Sequence, residues 1–411
     1  VSAILQLLLE LAILITAAKA AGYVAARLKQ PAVLGQLLAG LALGPSLIDF
    51  HGGQLFTSEI SHETVNQLAE VGVIFLMFVA GLEVDLGELM GTRRVAVLTG
   101  VLGVVAPLAM GAATGAVFGF APTQSLFIGL ILTATSVSIS AQTLMEMGVL
   151  RSREGLALLG AAVVDDVLVI AVLSLFLAFG AGTGDGPANP MADLAAVFGR
   201  MALYFALAVA IGLLALPRLA DLVQRLEISE GVLAYVLVAM LLYAWSAEAV
   251  GQLASITGAF LAGLMLGRTR HRREIERGMH TLSYAFFVPL FLVSIGLQAD
   301  ARSLGGAGLA FAGVLAVVAV ASKVIGCGLG ARLAGMRWPE SLRIGVGMVS
   351  RGEVGLIVAT VGLQRGLIDT AIFAAIVLVV LASTMATPLL LRWAFAGRRV
   401  RYVVEPAGSG D

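Results

Sequence analysis

The sequence is poor in the residues that most soluble proteins rely on. Of its 411 residues, 13% are charged, 7% are aromatic, four are histidines and one is a cysteine. A lone Cys327 cannot close an intramolecular disulfide. The few histidines offer no zinc-ligand cluster, and His62-Glu63 lacks the second histidine of a metalloprotease helix. No phosphate-cradling loop and no basic nucleic-acid footprint occurs. Soluble domains carry about 25% charged residues, so the charge content argues against that class. What is abundant points the other way: 59% of residues are hydrophobic, mean hydropathy is +0.98, and 49 glycines allow close helix packing in lipid. The composition is that of an all-α polytopic membrane protein.

With about 20 apolar residues needed per crossing, about thirteen transmembrane helices are expected, near 3–27, 32–49, 64–84, 95–119, 124–147, 155–182, 192–217, 230–248, 253–267, 280–298, 306–334, 341–363 and 370–394. The first run, from Ile4 to Leu28, reads as a span and not as a cleavable signal, since it lacks a basic leader and a small-residue cleavage site. Arg and Lys collect in one set of loops, including Arg93, Arg94, Arg268, Arg270, Arg272, Arg273 and Arg398, while the other set holds Arg200, Arg302 and Arg365. The positive-inside rule then puts the C-terminus in the cytoplasm and, with an odd number of spans, the N-terminus outside.

Removing every cation that falls in a loop leaves Lys19, Lys323 and Arg351 inside spans. Lys19 lies close enough to a helix end to snorkel to the interface. The carboxylates that demand explanation are Asp165 and Asp166, adjacent in an otherwise unbroken apolar run from Gly155 to Ala181. A charge at the centre of a membrane helix costs about 2.5–3.5 kcal/mol on insertion scales, so such residues usually face a water-filled path or a partner. Neighbours on a helix point about 100° apart. One division of labour has Asp166 on the ion path and Asp165 facing Lys323, which could form a static bridge or release a proton when a cation arrives. The preceding span carries Thr133, Thr135, Ser136, Ser138 and Ser140. Thr135 and Ser136 suit capping and interhelical bonding, or the lining of a cavity. Arg351 and Glu353 suit pairing with other helices or compensation at a helix break. Glu83 and Asp85 read as interfacial, and Cys327, one turn from Lys323, as a packing residue.

An internal repeat supports such breaks. LAGLALG at 38–44 returns as LAGLMLG at 261–267, and FLMFVAGLEVD at 75–85 returns as LFLVSIGLQAD at 290–300, offsets of 223 and 215 residues. MEMGVL at 145–150 has a fainter echo in LQRGLI at 363–368. Copies seven spans apart lie in opposite orientations, and inverted repeats with a midplane site between interrupted helices mark secondary transporters. The 215-residue offset lays Ser136 on Arg351, predicting two partly unwound helices that cross beside Asp165-Asp166.

At GLEVD (81–85), ATSVSIS (134–140), LGAAVVDDVL (159–168), SKVIG (322–326) and SRGEVGLIVA (350–359), the chain resembles the monovalent cation:proton antiporter superfamily, in its Kef/NapA-like branch. The resemblance runs from QPAVLGQLLAGLALGPSL at 30–47 to the last helix. It implies an NhaA-like fold of inverted repeats with crossing interrupted helices. A dimerisation part would comprise 1–90 and 229–302, a core ion-transport part 91–183 and 303–396, a linker helix 190–226, and a cytosolic tail 397–411. It further implies Asp166 as the ion-binding carboxylate and site of the transported Na+. Asp165 would be the salt-bridge partner of Lys323, and Thr135, Ser136, Arg351 and Glu353 would line the crossing. The implied activity is electrogenic exchange of Na+ or Li+ for protons by an elevator-like movement, in a homodimer of the bacterial inner membrane, with no cofactor, no nucleic acid and no enzymatic chemistry. Gln36 stands where many relatives have Glu, and Ser350 where several have Pro, which bears on the break in its helix. Many Kef-like relatives continue into a cytosolic nucleotide-binding domain, whereas the sequence in hand ends in EPAGSGD. Potassium/proton exchange, a Kef-like potassium efflux system and a sodium-coupled solute symporter are the alternatives. An intramembrane protease would need its aspartates on two separate helices.

Overall fold

The computed structural model describes residues 3–28, 30–44, 48, 59–84, 86–179, 190–226, 228–297 and 306–396. In chain order they form α1 (Ala3–Arg27), α2 (Ala32–Leu43), α3 (Glu59–Glu83), α4 (Leu86–Gly91), α5 (Arg93–Val117), α6 (Pro122–Ile131), α7 (Val137–Glu146), α8 (Arg153–Phe179) and α9 (Pro190–Leu214). They continue with α10 (Leu216–Arg225), α11 (Gly231–Ala249), α12 (Ser255–Leu266), α13 (Arg272–Leu282), a π-helical turn (Ser283–Phe287), α14 (Val288–Leu297), α15 (Gly306–Leu333), α16 (Trp338–Gly347), α17 (Glu353–Gln364) and α18 (Thr370–Phe395). Every regular element among the described residues is helical. Nine described spans are long and apolar enough to cross a membrane. The remaining expected spans fall on α2, α12 and the broken pairs α6/α7 and α16/α17.

Several boundaries move from their sequence positions, each for a local reason. The apolar pattern carries the second span to 49, but α2 stops at Leu43, where Gly44 turns to an extended conformation ahead of Pro45. The seventh span ends at Leu214, and α10, opened by Pro217, continues as a separate amphipathic helix that buries Leu216 and Ala220. The tenth span starts early, at Arg272, and passes through the π-helical turn. Pro289 has no amide to donate backwards, which loosens the preceding turn. Lys19 does not simply snorkel: its ammonium donates to the Tyr284 carbonyl in that turn at 2.6 Å.

The repeat is built into the packing. A Cβ on Gly40 of α2 would stand 2.1 Å from the Val293 carbonyl of α14, and one on Gly263 of α12 would stand 2.1 Å from the Phe78 carbonyl of α3. The offsets of 223 and 215 carry Gly40 onto Gly263 and Phe78 onto Val293. The reciprocal contacts obey the same map, with Gly296 against the Leu37 carbonyl and Gly81 against that of Phe260. Each repeat's short helix therefore packs on the other repeat's long one through glycines that let backbones touch.

Around these crossings α1, α2, α3, α11, α12 and α14 pack on one another, while α5 packs on α6, α8 and α15, and α15 on α16 and α18. The α5–α15 seam is again made by small residues: Gly326 lies against the Leu102 carbonyl, Gly330 against that of Leu98, and Gly103 against the Cys327 sulfur.

Candidate ion-binding site

The fifth and twelfth spans are both broken at their middles. α6 ends at Ile131, Thr133 turns its hydroxyl back onto the Leu130 carbonyl at 2.6 Å, and Ser136 is extended before α7 begins. Hydroxyl side chains compete with the backbone for helical hydrogen bonds, which favours such a break. Across from it, α16 gives out at Gly347 and α17 begins after Gly352, whose backbone is extended. A Cβ on Gly352 would lie 2.7 Å from the Ser136 side chain, so this glycine lets the two unwound segments meet.

Backbone groups freed inside a membrane need partners, and the crossing supplies them. The Ser136 amide donates to the Ser350 carbonyl at 2.9 Å, and the Ser350 hydroxyl donates to the Ser136 carbonyl. Ser140 donates to the Gly347 carbonyl and lies 3.2 Å from the Ser350 hydroxyl. Arg351, 1% exposed, donates to the Ala134 carbonyl at 2.8 Å and to the Ala319 carbonyl of α15 at 3.0 Å. Thr384 of α18 donates to the Arg351 carbonyl. Arg351 thus places its charge against carbonyls left open beyond the C-terminal end of α6, where a cation is favourable. Ser350 does what a proline there could not, since its hydroxyl closes part of the crossing. The Glu353 side chain lies outside the described residues.

Asp165 and Asp166 leave α8 in different directions. Asp165 is wholly buried and accepts a hydrogen bond from the Lys323 ammonium of α15 at 2.9 Å, with Lys323 wholly buried as well. Thr135, in the break between α6 and α7, donates its hydroxyl to the Thr133 carbonyl at 3.5 Å. Cys327 packs beside them, fully buried, against Gly103.

Asp166, 7% exposed, faces a different side of α8 and accepts a hydrogen bond from the Thr257 hydroxyl of α12 at 3.3 Å. Between them lies a cavity of about 10 Å³, room for about one water. Met77 of α3, Val137 of α7, Leu159 of α8, and Ile256 and Phe260 of α12 contribute its apolar walls. The carboxylate therefore sits where the α5/α8/α15 group meets the α3/α12 group. Among the described residues no three His, Cys, Asp or Glu side chains converge as a metal cluster. A cation at Asp166 would have to complete its shell from hydroxyls, carbonyls and water.

Some participants carry little sequence signal. Thr257 is one hydroxyl in an otherwise apolar helix. Glu146, at the end of α7, accepts from the Ala32 and Val33 amides at the start of α2, at 2.8 and 3.2 Å. Gln142 donates to Glu146 at 3.0 Å and accepts from Tyr284 at 2.9 Å. This chain of bonds links the crossing helix α7 to α2 and to the π-helical turn. Its one trace in the sequence is Glu146 within the weakly repeated MEMGVL.

Crossing interrupted helices, an inverted repeat and two adjacent buried carboxylates, one of them paired with a buried lysine, define a secondary transporter with an NhaA-like fold. Comparison with known proteins gives the family. A family profile described as "Sodium/hydrogen exchanger, transmembrane" matches residues 12–397. The chain is 39% identical over 389 residues to the Na(+)/H(+)-K(+) antiporter GerN of Bacillus cereus, covering 95% of this chain and 96% of that one. It is 35% identical over 385 residues to the Na(+)/H(+) antiporter of Enterococcus hirae, covering 93% and 96%. The sodium proton antiporter MjNhaP1 from Methanocaldococcus jannaschii shares the fold, with a TM-score of 0.66 over 96% of this chain and 98% of that one, at 18% identity. The chain belongs to the sodium/hydrogen exchanger family. That membership places it among multi-pass membrane antiporters that exchange cations for protons. The superfamily expectation stands, but the narrower Kef/NapA branch label is slightly off: the match is to the sodium/hydrogen exchanger family itself.

Proposed function

We propose that this protein exchanges Na+ or Li+ for protons electrogenically, with Asp166 as the carboxylate that the cation and a proton occupy in turn. The observation that carries this reading is the pairing of roles on one helix turn. Asp165 is neutralised by Lys323 at 2.9 Å in full burial, which leaves Asp166 to face a cavity at the seam between two packing groups. Movement of the α5/α8/α15/α18 group against the α3/α12 group would carry Asp166 from one side of the membrane to the other, in the manner of an elevator. In this reading the first group is the core part, the second is the dimerisation part of a homodimer, and α9 links them. The N-terminus is outside and the C-terminus in the cytoplasm of a bacterial inner membrane. Thr135, Ser136 and Arg351 shape the crossing beside the site.

If the Asp165-Lys323 pair gives up a second proton per cation, one net charge crosses per cycle, which is worth about 2.3 kcal/mol per 100 mV. Membrane potential can then drive Na+ export. Potassium as an alternative substrate is the second reading, favoured by the 39% identity to an antiporter whose name includes K(+). The test is ΔpH dequenching in proteoliposomes on adding Na+, Li+ or K+, with and without valinomycin. Na+ and Li+ responses that change when the potential is clamped support the proposal. A K+ response indifferent to the clamp favours the second reading and leaves Asp165-Lys323 structural. Asp166→Asn should abolish exchange in a folded protein; full activity in that variant would remove Asp166 from the mechanism.

A further inference from the structure

We propose that Thr257 of α12 is a positioning residue for Asp166, whose hydroxyl holds the ion-free carboxylate and competes with the transported cation. The inference rests on the reading of Asp166 as the exchanging carboxylate. The Thr257 hydroxyl donates to Asp166 Oδ2 at 3.3 Å across the cavity between the two packing groups. Apart from these two residues, the cavity is lined by apolar side chains.

An ionised carboxylate facing apolar walls is costly, and a hydroxyl donor is the cheapest local compensation available to it. That donation favours the carboxylate with neither proton nor cation. A cation binding at Oδ2 replaces the hydroxyl proton as the electrophile, so the hydrogen bond must break before the ion is held. Because Thr257 and Asp166 belong to different packing groups, the bond also ties the groups together in the ion-free state and lets go when the carboxylate is loaded. This is the sense of coupling an antiporter needs, since a carrier that returns empty dissipates the gradient.

The repeat sharpens the assignment. The 223-residue offset lays Thr257 on Leu34 of α2, although the glycine contacts of the two helices are matched. The hydroxyl occurs on the copy that faces a carboxylate and is replaced by an apolar side chain on the other, so the helix packing itself does not call for it.

The test measures Na+ dependence of exchange in proteoliposomes for Thr257→Val, Thr257→Ala and Thr257→Ser, beside Asp166→Asn. Loss of the hydroxyl in the Val and Ala variants should lower the apparent KM for Na+ about fivefold, the scale of one long hydrogen bond to a charged group. The change should fall on KM and not on kcat, and Thr257→Ser should restore the parent value. A purely structural threonine would instead lower the yield of folded protein or kcat. If Thr257→Val does not reconstitute, Thr257→Ala carries the same reading with less bulk. An unchanged or raised KM in the hydroxyl-free variants overturns the inference, a rise meaning that Thr257 ligates the cation. Exchange retained in Asp166→Asn would overturn the function reading itself. An inactive Asp166→Asn with unaltered KM in the Thr257 variants would overturn the Thr257 assignment alone.

Discussion

Removing the Lys323 ammonium should destabilise the protein far more than removing both partners of its ion pair. At an effective dielectric of about 20, unit charges 2.9 Å apart attract by roughly 6 kcal/mol. Both side chains are 0% exposed, and taking each ion out of water costs several kcal/mol, so the net worth of the intact pair is close to zero. Breaking it is another matter. Lys323→Met leaves Asp165 buried with its charge uncompensated, and Asp165→Asn leaves the ammonium in the same position; each should cost about 3–5 kcal/mol. The double replacement Asp165→Asn/Lys323→Met removes both desolvation penalties and should return close to parent stability. Fluorescence-detected size-exclusion after heating in detergent gives the comparison, with the singles lower in apparent Tm by on the order of 5–10 °C and the double near the parent. If the double variant loses as much as the two singles added together, the charges are not energetically coupled and the pairing argument fails. In liposomes the double variant separates structure from transport: with Asp166 intact it should still exchange Na+ for protons, but without sensitivity to a valinomycin clamp.

Three further outcomes test the scaffold. Gly40→Ala and Gly263→Ala should be similarly damaging, since each puts a Cβ 2.1 Å from a carbonyl of the facing helix; overpacking of this kind costs about 1–3 kcal/mol or more, and a harmless Gly263→Ala beside a crippling Gly40→Ala would contradict the matched packing. Ser350→Ala removes the hydroxyl bonded to the Ser136 carbonyl and to Ser140; the unsatisfied buried carbonyl should lower stability by about 1–3 kcal/mol in the same heating assay. Glu146→Ala uncaps α2 at Ala32 and Val33 and should cost about 0.5–2 kcal/mol, while Glu146→Gln, which keeps an acceptor, should cost less; equal losses in the two would mean that the cap carries no energy.

What the sequence made legible was whatever conflicts with lipid. Asp165, Asp166, Lys323 and Arg351 stand out because each charge in an apolar run requires a partner, and the direction of each aspartate follows from helical spacing. The crossing was legible through the hydroxyl density from Thr133 to Ser140 and through the repeat that lays Ser136 on Arg351. Thr257 was not legible, because one threonine in an apolar helix is compatible with back-bonding to its own helix, and its partner lies 91 residues away. The early end of α2 was hidden by an apolar pattern that continues past the point where Gly44 and Pro45 stop the helix. The π-helical turn at Ser283–Phe287 left Pro289 as its sole sequence mark. For Thr257 the deciding contact is tertiary, while for α2 and the π-helical turn it is a local break that the apolar pattern masks.

The repeat separates what builds this protein from what it works with. Contacts that set helix positions obey the two offsets closely: Gly40 and Gly263, Gly81 and Gly296, Leu37 and Phe260, Phe78 and Val293 all exchange places. The polar residues at the centre do not. Ser136 maps onto Arg351, and Thr257 onto Leu34. In the proposed elevator movement, a scaffold with matched packing on both repeats would let one group of helices move against the other between states of similar energy. In the same proposal, the asymmetric set of charges laid over it would confine the ion to one carboxylate, Asp166. If both copies carried an aspartate at the seam, two cations could load, and the Arg351 and Lys323 charges would no longer balance Asp165 and Asp166. On that proposal the departures from symmetry would serve ion chemistry, and the repeated contacts the movement.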